Sequence, residues 1–159
     1  MGLFYNLAIY LMQFFFRIAA LFNPKAKLWV EGRKNWAHQL KLTIETWPKD
    51  HKRIWMHCAS LGEFEQGRPL IELLRSERPD LKIILTFFSP SGYEIRKNYK
   101  GADLVCYLPA DTSKNAKRFI ELIKPEAAVF VKYEFWFNYL TCLKKAGIPH
   151  CLIAGLFRP

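Results

Sequence analysis

The chain has 159 residues, half of them hydrophobic (51%) and 16% aromatic, with a formal charge of +10. That length buries one domain-sized core with an appendage. Four single cysteines (Cys58, Cys106, Cys142, Cys151) without a C-x-x-C, and four histidines without ligand spacing, exclude a disulfide scaffold and a metal site and predict reduced, buried thiols in a cytoplasmic compartment.

Residues 1–22 form one apolar segment whose only charge is Arg17, about long enough to cross a bilayer as a helix. It lacks the basic amino end and small-residue cleavage site of a signal peptide. Asn6, Tyr10, Gln13 and Arg17 share one helical face, a thin polar stripe that lines a packing surface of a spanning helix or faces water in a helix lying flat. Both readings make the segment a membrane anchor rather than a buried core helix. Residues 23–50 are a basic connector: between 23 and 53 there are eight Lys/Arg against three Asp/Glu, whereas residues 54–159 hold fifteen against eleven. No nucleic-acid recognition motif accompanies this charge, so nucleic acid is not an expected partner. An anionic membrane surface suits its position after the apolar segment, and places the domain on the cytoplasmic side. One helix is expected near 30–47, with Trp29, Trp36 and Trp47 at the interface. Trp47-Pro48-Lys49-Asp50 is turn chemistry and marks a domain spanning 51–159.

From there apolar runs alternate with helical periodicity. Strands are predicted at 54–59, 82–88, 104–107, 127–131 and 150–154, and helices at 65–77, 92–99, 113–123 and 135–146. Five strands with four crossovers predict an α/β fold, a Rossmann-like parallel sheet with helices on both faces. Neither G-x-G-x-x-G nor G-x-x-x-x-G-K-[ST] occurs, so a dinucleotide fingerprint and a P-loop are both unsupported, and no cofactor is expected.

In such a sheet ligands gather outside the carboxyl ends of the strands. The first strand delivers Ser60, Gly62 and Glu63 there, the second Ser91, Gly92 and Glu94, the third Pro109 and Asp111, the fourth Lys132, Glu134, Trp136 and Asn138, and the fifth Gly155 and Arg158. Glu63 is a candidate general base, because a base must be positioned before its acidity matters. Ser60-x-x-Glu63 and Ser91-x-x-Glu94 have equally the spacing of capping boxes. Trp136 is poorly explained by capping. Lys132, Arg158 and the helix amino termini favour phosphate groups on a ligand.

These motifs resemble the 3-deoxy-D-manno-octulosonic acid (Kdo) transferases of lipopolysaccharide synthesis. Ser60-Leu-Gly-Glu63 stands where that family has S-x-G-E, Ser91-Gly-Tyr-Glu94 where it has T-G-x-E, and Tyr107-Leu-Pro-x-Asp111 matches Y-L-P-x-D. Glu134-Phe-Trp136-Phe-Asn138 matches E-L-W-P-N, and Arg158 falls at the arginine after the fifth strand. The resemblance implies the amino-terminal, acceptor-binding half of a GT-B glycosyltransferase. Such enzymes move Kdo from CMP-Kdo to a lipid A precursor, without metal, at the cytoplasmic face of the bacterial inner membrane. It implies Glu63 as the base, and Ser60, Gly62, Ser91, Gly92, Glu94, Glu134, Trp136, Asn138 and Arg158 as substrate-binding residues. Lys132 departs from the family's E-T-E-L-W, replacing its first Glu, and is expected to offset developing charge or to hold an acceptor phosphate. The resemblance implies a carboxy-terminal donor domain not included in residues 1–159, so these residues alone are expected to be inactive. Two alternatives remain open on the residues alone: a non-catalytic membrane-surface module binding anionic lipid, and another GT-B glycosyltransferase with a lipid-linked acceptor.

Overall fold

The computed structural model describes residues 2–155; Arg158 lies outside the described residues. Three helices precede the sheet: α1 (Gly2–Ala19), α2 (Pro24–Glu31) and α3 (Trp36–Glu45). Then strands and helices alternate: β1 (Arg53–Cys58), α4 (Leu61–Glu77), β2 (Lys82–Phe87), α5 (Pro90–Arg96), β3 (Leu104–Tyr107), α6 (Ser113–Ile123), β4 (Ala127–Val131), α7 (Phe137–Lys145) and β5 (His150–Ile153). The five strands form one parallel sheet in the order β3-β2-β1-β4-β5.

Alternation along the strands sorts side chains onto two faces. Trp55, Ile84, Ala128 and Phe130 face α3, α6 and α7, whose Leu40, Ile44, Phe119, Ile123, Tyr139 and Leu143 close that core. Met56, Cys58, Leu85, Phe87 and Val131 face α4 and its Phe64 and Ile71. Gly67 lets α4 approach the sheet, because a Cβ there would meet Val131 Cγ2 at 2.9 Å. The expected α/β architecture, with helices on both faces, is therefore the one observed.

Several local expectations change. The connector forms two helices rather than one, broken at Gly32–Asn35, where Asn35 takes a left-handed conformation (φ 53°). Trp29 is not at an interface: it is buried, with its ring stacked 4.3 Å from Phe16. Trp36 and Trp47 pack against the main core. α4 starts four residues earlier than expected, because Ser60 is its N-cap. α5 starts at Pro90 with Ser89 as N-cap, accepting from the Ser91 N–H at 3.2 Å, so Ser91 and Glu94 form no capping box. The thiols are free, yet Cys151 is exposed on β5 rather than buried.

α1 lies across the carboxyl-end rim. Tyr5 Oη donates to Asp111 Oδ2 (2.7 Å), Asn6 Nδ2 donates to Ser113 Oγ (3.0 Å), and Ile9 is buried against Trp29 and Ala110. The stripe splits, since Asn6 turns to the domain while Tyr10 stays exposed. The opposite side of α1 presents Leu3, Phe4, Leu7, Leu11, Phe14, Phe15 and Ile18, all exposed. By length and composition α1 is also a helix that could cross a membrane.

Candidate active site

Ser60, Gly62 and Glu63 follow the carboxyl end of β1, and Glu134 reaches that end from the exit of β4. Ser60 ends the strand's loop and caps α4, so Glu63 falls in the first helical turn at the N3 position. Its Oε2 accepts from the Ser60 N–H at 2.6 Å and from the Ser60 hydroxyl at 2.7 Å. The first bond satisfies a donor that the helix start would otherwise leave orphaned, and the negative charge suits the positive end of the helix. Capping thus uses one carboxylate oxygen and fixes the side chain. The group is half-buried, not sealed.

The β2 loop is pressed against this point. The Phe88 and Ser89 N–H groups donate to Ala59 O (3.2 and 2.7 Å), and a Cβ on Gly92 would come within 3.0 Å of the Ser60 carbonyl carbon and collide with the Phe87 ring. Only glycine permits that approach of α5 to the β1 loop. Glu94 turns the other way: it accepts from Tyr107 Oη (3.2 Å) and pairs with Lys97 (2.9 Å).

Beyond β4 the chain makes a tight exit in which Lys132 is left-handed (φ 63°) and its N–H donates to Ile153 O at 2.8 Å. Such a backbone costs a lysine roughly 1–2 kcal/mol, strain of a kind that concentrates at functional sites. The exit turns Glu134 toward the end of β1, with Oε2 3.6 Å from His57 Nε2. Burial foremost, then the charges of Glu63 and Glu134, push the Cys58 thiol upward. Trp136 lies over the strand ends, its ring 4.8 Å from Phe88 and 5.9 Å from His57, with a buried indole N–H that has no acceptor among the described residues. A groove of about 200 Å³ opens beside Glu134, lined also by Phe130, Phe135 and Leu152.

Asn138 is placed as a brace. Its Nδ2 donates to Asp111 O (2.6 Å), and its Oδ1 accepts from Ser113 Oγ (2.9 Å). Asp111 in turn accepts from the N–H groups of Asn138 and Tyr139 (both 3.1 Å), capping α7 from another loop. Burial, the largest influence, raises its carboxyl above the ordinary aspartate value against the pull of these bonds and of Tyr5.

His57, which motif spacing did not single out, lies beside Glu134. It is fully buried, and its Nδ1 lies 2.9 Å from Thr86 Oγ1. The same hydroxyl accepts from Trp55 Nε1 at 2.8 Å and lies 3.3 Å from Met56 O. Thr86 donates its one hydrogen to Met56 O, and His57 Nε2, on the side of Glu134, has no hydrogen-bond partner among the described residues. The signal was legible as Trp55-x-His57: a polar residue two positions along a buried strand shares a face with its neighbour.

Among the described residues no cluster of metal-ligating side chains is found. The strand ends thus carry the carboxylates of Glu63 and Glu134 and the Trp136 indole, with Lys132 at the exit of β4.

Residues 34–159 match the protein-family model described as 3-deoxy-D-manno-octulosonic-acid transferase (kdotransferase). The chain is 40% identical over 101 residues to the 3-deoxy-D-manno-octulosonic acid transferase of Aquifex aeolicus, covering 63% of this chain and 27% of that protein. It is 32% identical over 97 residues to the transferase of that name from Haemophilus influenzae, covering 60% and 23%. A bifunctional glycosyltransferase/methyltransferase of Fusobacterium nucleatum is 33% identical over 95 residues, covering 58% and 15%. The match thus spans about a quarter, or less, of the length of these relatives.

Proposed function

Since the chain belongs to the 3-deoxy-D-manno-octulosonic acid (Kdo) transferase family, we propose that it supplies the acceptor-binding half, with the catalytic base, of an enzyme that transfers Kdo from CMP-Kdo to a lipid A precursor. The observation that carries this reading is the fixed carboxylate of Glu63, held beyond β1 by two bonds from Ser60, with Glu134 beside His57 of the same strand.

In the proposed reaction a sugar hydroxyl of the acceptor gives its proton to Glu63 as its oxygen bonds to the anomeric carbon of Kdo. The bond from that carbon to the CMP phosphate breaks, and CMP leaves with the electron pair. Capping prepares Glu63 for this, since a base with a fixed rotamer loses little freedom on reaching the transition state. Gly62 and Gly92 keep the approach open, Ser60 and Ser91 border it, and Trp136 offers its indole N–H. Glu134 binds a sugar hydroxyl beside His57. Lys132 faces the negative charge of an acceptor phosphate or of the leaving group. Glu94 and Asn138 act behind the opening, as supports for α5 and α7. Arg158 joins the set through its family position only.

α1 is read as lying flat in the cytoplasmic leaflet of the inner membrane. Its polar side is engaged by Asp111 and Ser113, and its apolar side is left for lipid. That orientation brings a lipid-borne acceptor to the rim without lifting its acyl chains from the bilayer. Residues 51–159 form the acceptor domain in this reading, and a second domain in the same polypeptide binds the donor.

The test joins this chain to a donor domain of a family relative and supplies CMP-Kdo and lipid A precursor, with product read by mass. Wild type is expected to add the mass of Kdo, and Glu63→Gln to lose at least about a thousandfold in rate, within the range of general-base contributions. Equal product from both returns Glu63 to a cap alone. Lipid binding with no product from either favours a binding module.

A further inference from the structure

Three cations gather away from the rim carboxylates, in a crevice of about 360 Å³ between α1, α2 and the loop after β3. Arg17, Arg33 and Lys34 line it together with Trp29, and no acidic residue does. Arg33 donates only to backbone: Nε to Leu108 O (2.8 Å), Nη1 to Trp29 O (3.0 Å) and Nη2 to Phe88 O (2.8 Å). Its guanidinium carbon sits 3.9 Å from the centre of the Trp29 ring. Burial pulls its pKa down to about 9, which leaves it charged at neutral pH. Carbonyl dipoles and aromatic faces satisfy its hydrogens without cancelling its charge, so the crevice keeps a positive field.

A second, independent feature points to a missing acceptor. Trp29 is 4% exposed, and its buried Nε1–H has no hydrogen-bond partner among the described residues. Buried donors of this kind are rare without a reason. Arg17 and Lys34, at the mouth, are exposed and have no ion pair among the described residues. Two such cations and an orphan donor in the field of Arg33 suit an oxyanion.

Position names the source. Arg17 stands one turn from Phe14 and two from Tyr10, so it borders the exposed apolar face of α1. We propose that this crevice is a phosphate site that holds the headgroup phosphate of a membrane lipid, gripped by Arg17 and Lys34 with Arg33 and the Trp29 N–H behind. The phosphate chemistry stands on the crevice alone. The lipid as its source rests on the in-plane reading of α1.

The test follows the indole N–H resonances of the full 159-residue chain during titration with glycerol phosphate, with Trp29→Phe assigning its signal. A saturable shift confined to Trp29 is expected. Removing two charge-assisted contacts in R17Q/K34Q should weaken it at least about tenfold, while K25Q/K27Q, which removes the same charge from exposed positions outside the crevice, should stay within about twofold. No saturable shift, or equal weakening in both doubles, overturns the site. The lipid arm measures partition onto phosphatidylglycerol vesicles. A larger loss for R17Q/K34Q than for K25Q/K27Q supports the lipid source; equal losses beside an intact indole response assign the site to a free phosphate and overturn that source. If wild type does not partition while the indole shift persists, the in-plane helix and the lipid source both fall, and the phosphate site stands.

Discussion

Thr86 shows how much one small hydroxyl can organise. It sits fully buried on β2, accepts from Trp55 Nε1 and lies within hydrogen-bond reach of His57 Nδ1, so two aromatic groups on β1 depend on it. Thr86→Val keeps the shape and removes the hydroxyl, leaving the buried Trp55 N–H unsatisfied. The expected loss is about 2 kcal/mol in urea unfolding, within the usual cost of about 1–3 kcal/mol for such an orphan. In the joined enzyme the same variant should slow transfer further than its stability loss explains, because the His57 ring beside Glu134 then loses the partner that fixes it. Glu63 is the residue whose two roles coincide: the bonds that make it a cap are those that aim it.

At the scale of elements, Asp103 ties the far end of the sheet together. Its carboxylate pairs with Arg75 of α4 (2.5 Å) and Lys82 of β2 (3.0 Å) and accepts from the Ile83 N–H (2.8 Å). Burial alone would raise its pKa, but these three partners outweigh burial and hold it below the ordinary value. A depressed carboxyl contributes stability that is present above the unfolded pKa, near 4, and lost as pH falls through the folded value. Asp103→Asn should therefore cost about 2 kcal/mol at pH 7 and flatten the acid limb of a stability profile below about pH 4; an unchanged acid limb would show the network to be idle. The strands themselves were legible because parallel strands buried on both faces read as unbroken apolar runs. All five fall within a residue of their expected bounds, β3 and β4 without any shift. Helix starts were less legible. The Ser60–Glu63 cap was legible in its spacing though the helix was expected to start later, whereas Ser89 caps by conformation, which spacing does not reveal, and Asn35 breaks the connector through a backbone angle. The capping role of Asp111 and the Thr86–His57 pairing join residues more than twenty positions apart, and no local pattern carries them.

For the whole molecule, the decisive asymmetry is that one side of α1 is bonded to the domain while the other meets nothing. Leu7→Lys with Leu11→Lys should leave unfolding in lipid-free buffer within about 0.5 kcal/mol of wild type, as exposed substitutions do. The pair should weaken vesicle flotation at least about a hundredfold, since each apolar side chain withdrawn from lipid forfeits about 1.5–3 kcal/mol. Unchanged flotation would move the lipid contact elsewhere. The motifs carried no sign that the apolar segment closes over the rim. Apolar content signals that a helix avoids water without saying what covers its other side.

That closure alters how the amino-terminal helix can be handled in practice. Tyr5 and Asn6 complete the surroundings of Asp111, and Phe16 covers Trp29. Trimming the first 22 residues, a familiar route to a more tractable soluble protein, would peel away a wall of the domain itself. The cut would leave a carboxylate short of a donor, a tryptophan face bare and the start of α7 less firmly pinned, so a shortened version is expected to misreport the site it was made to expose.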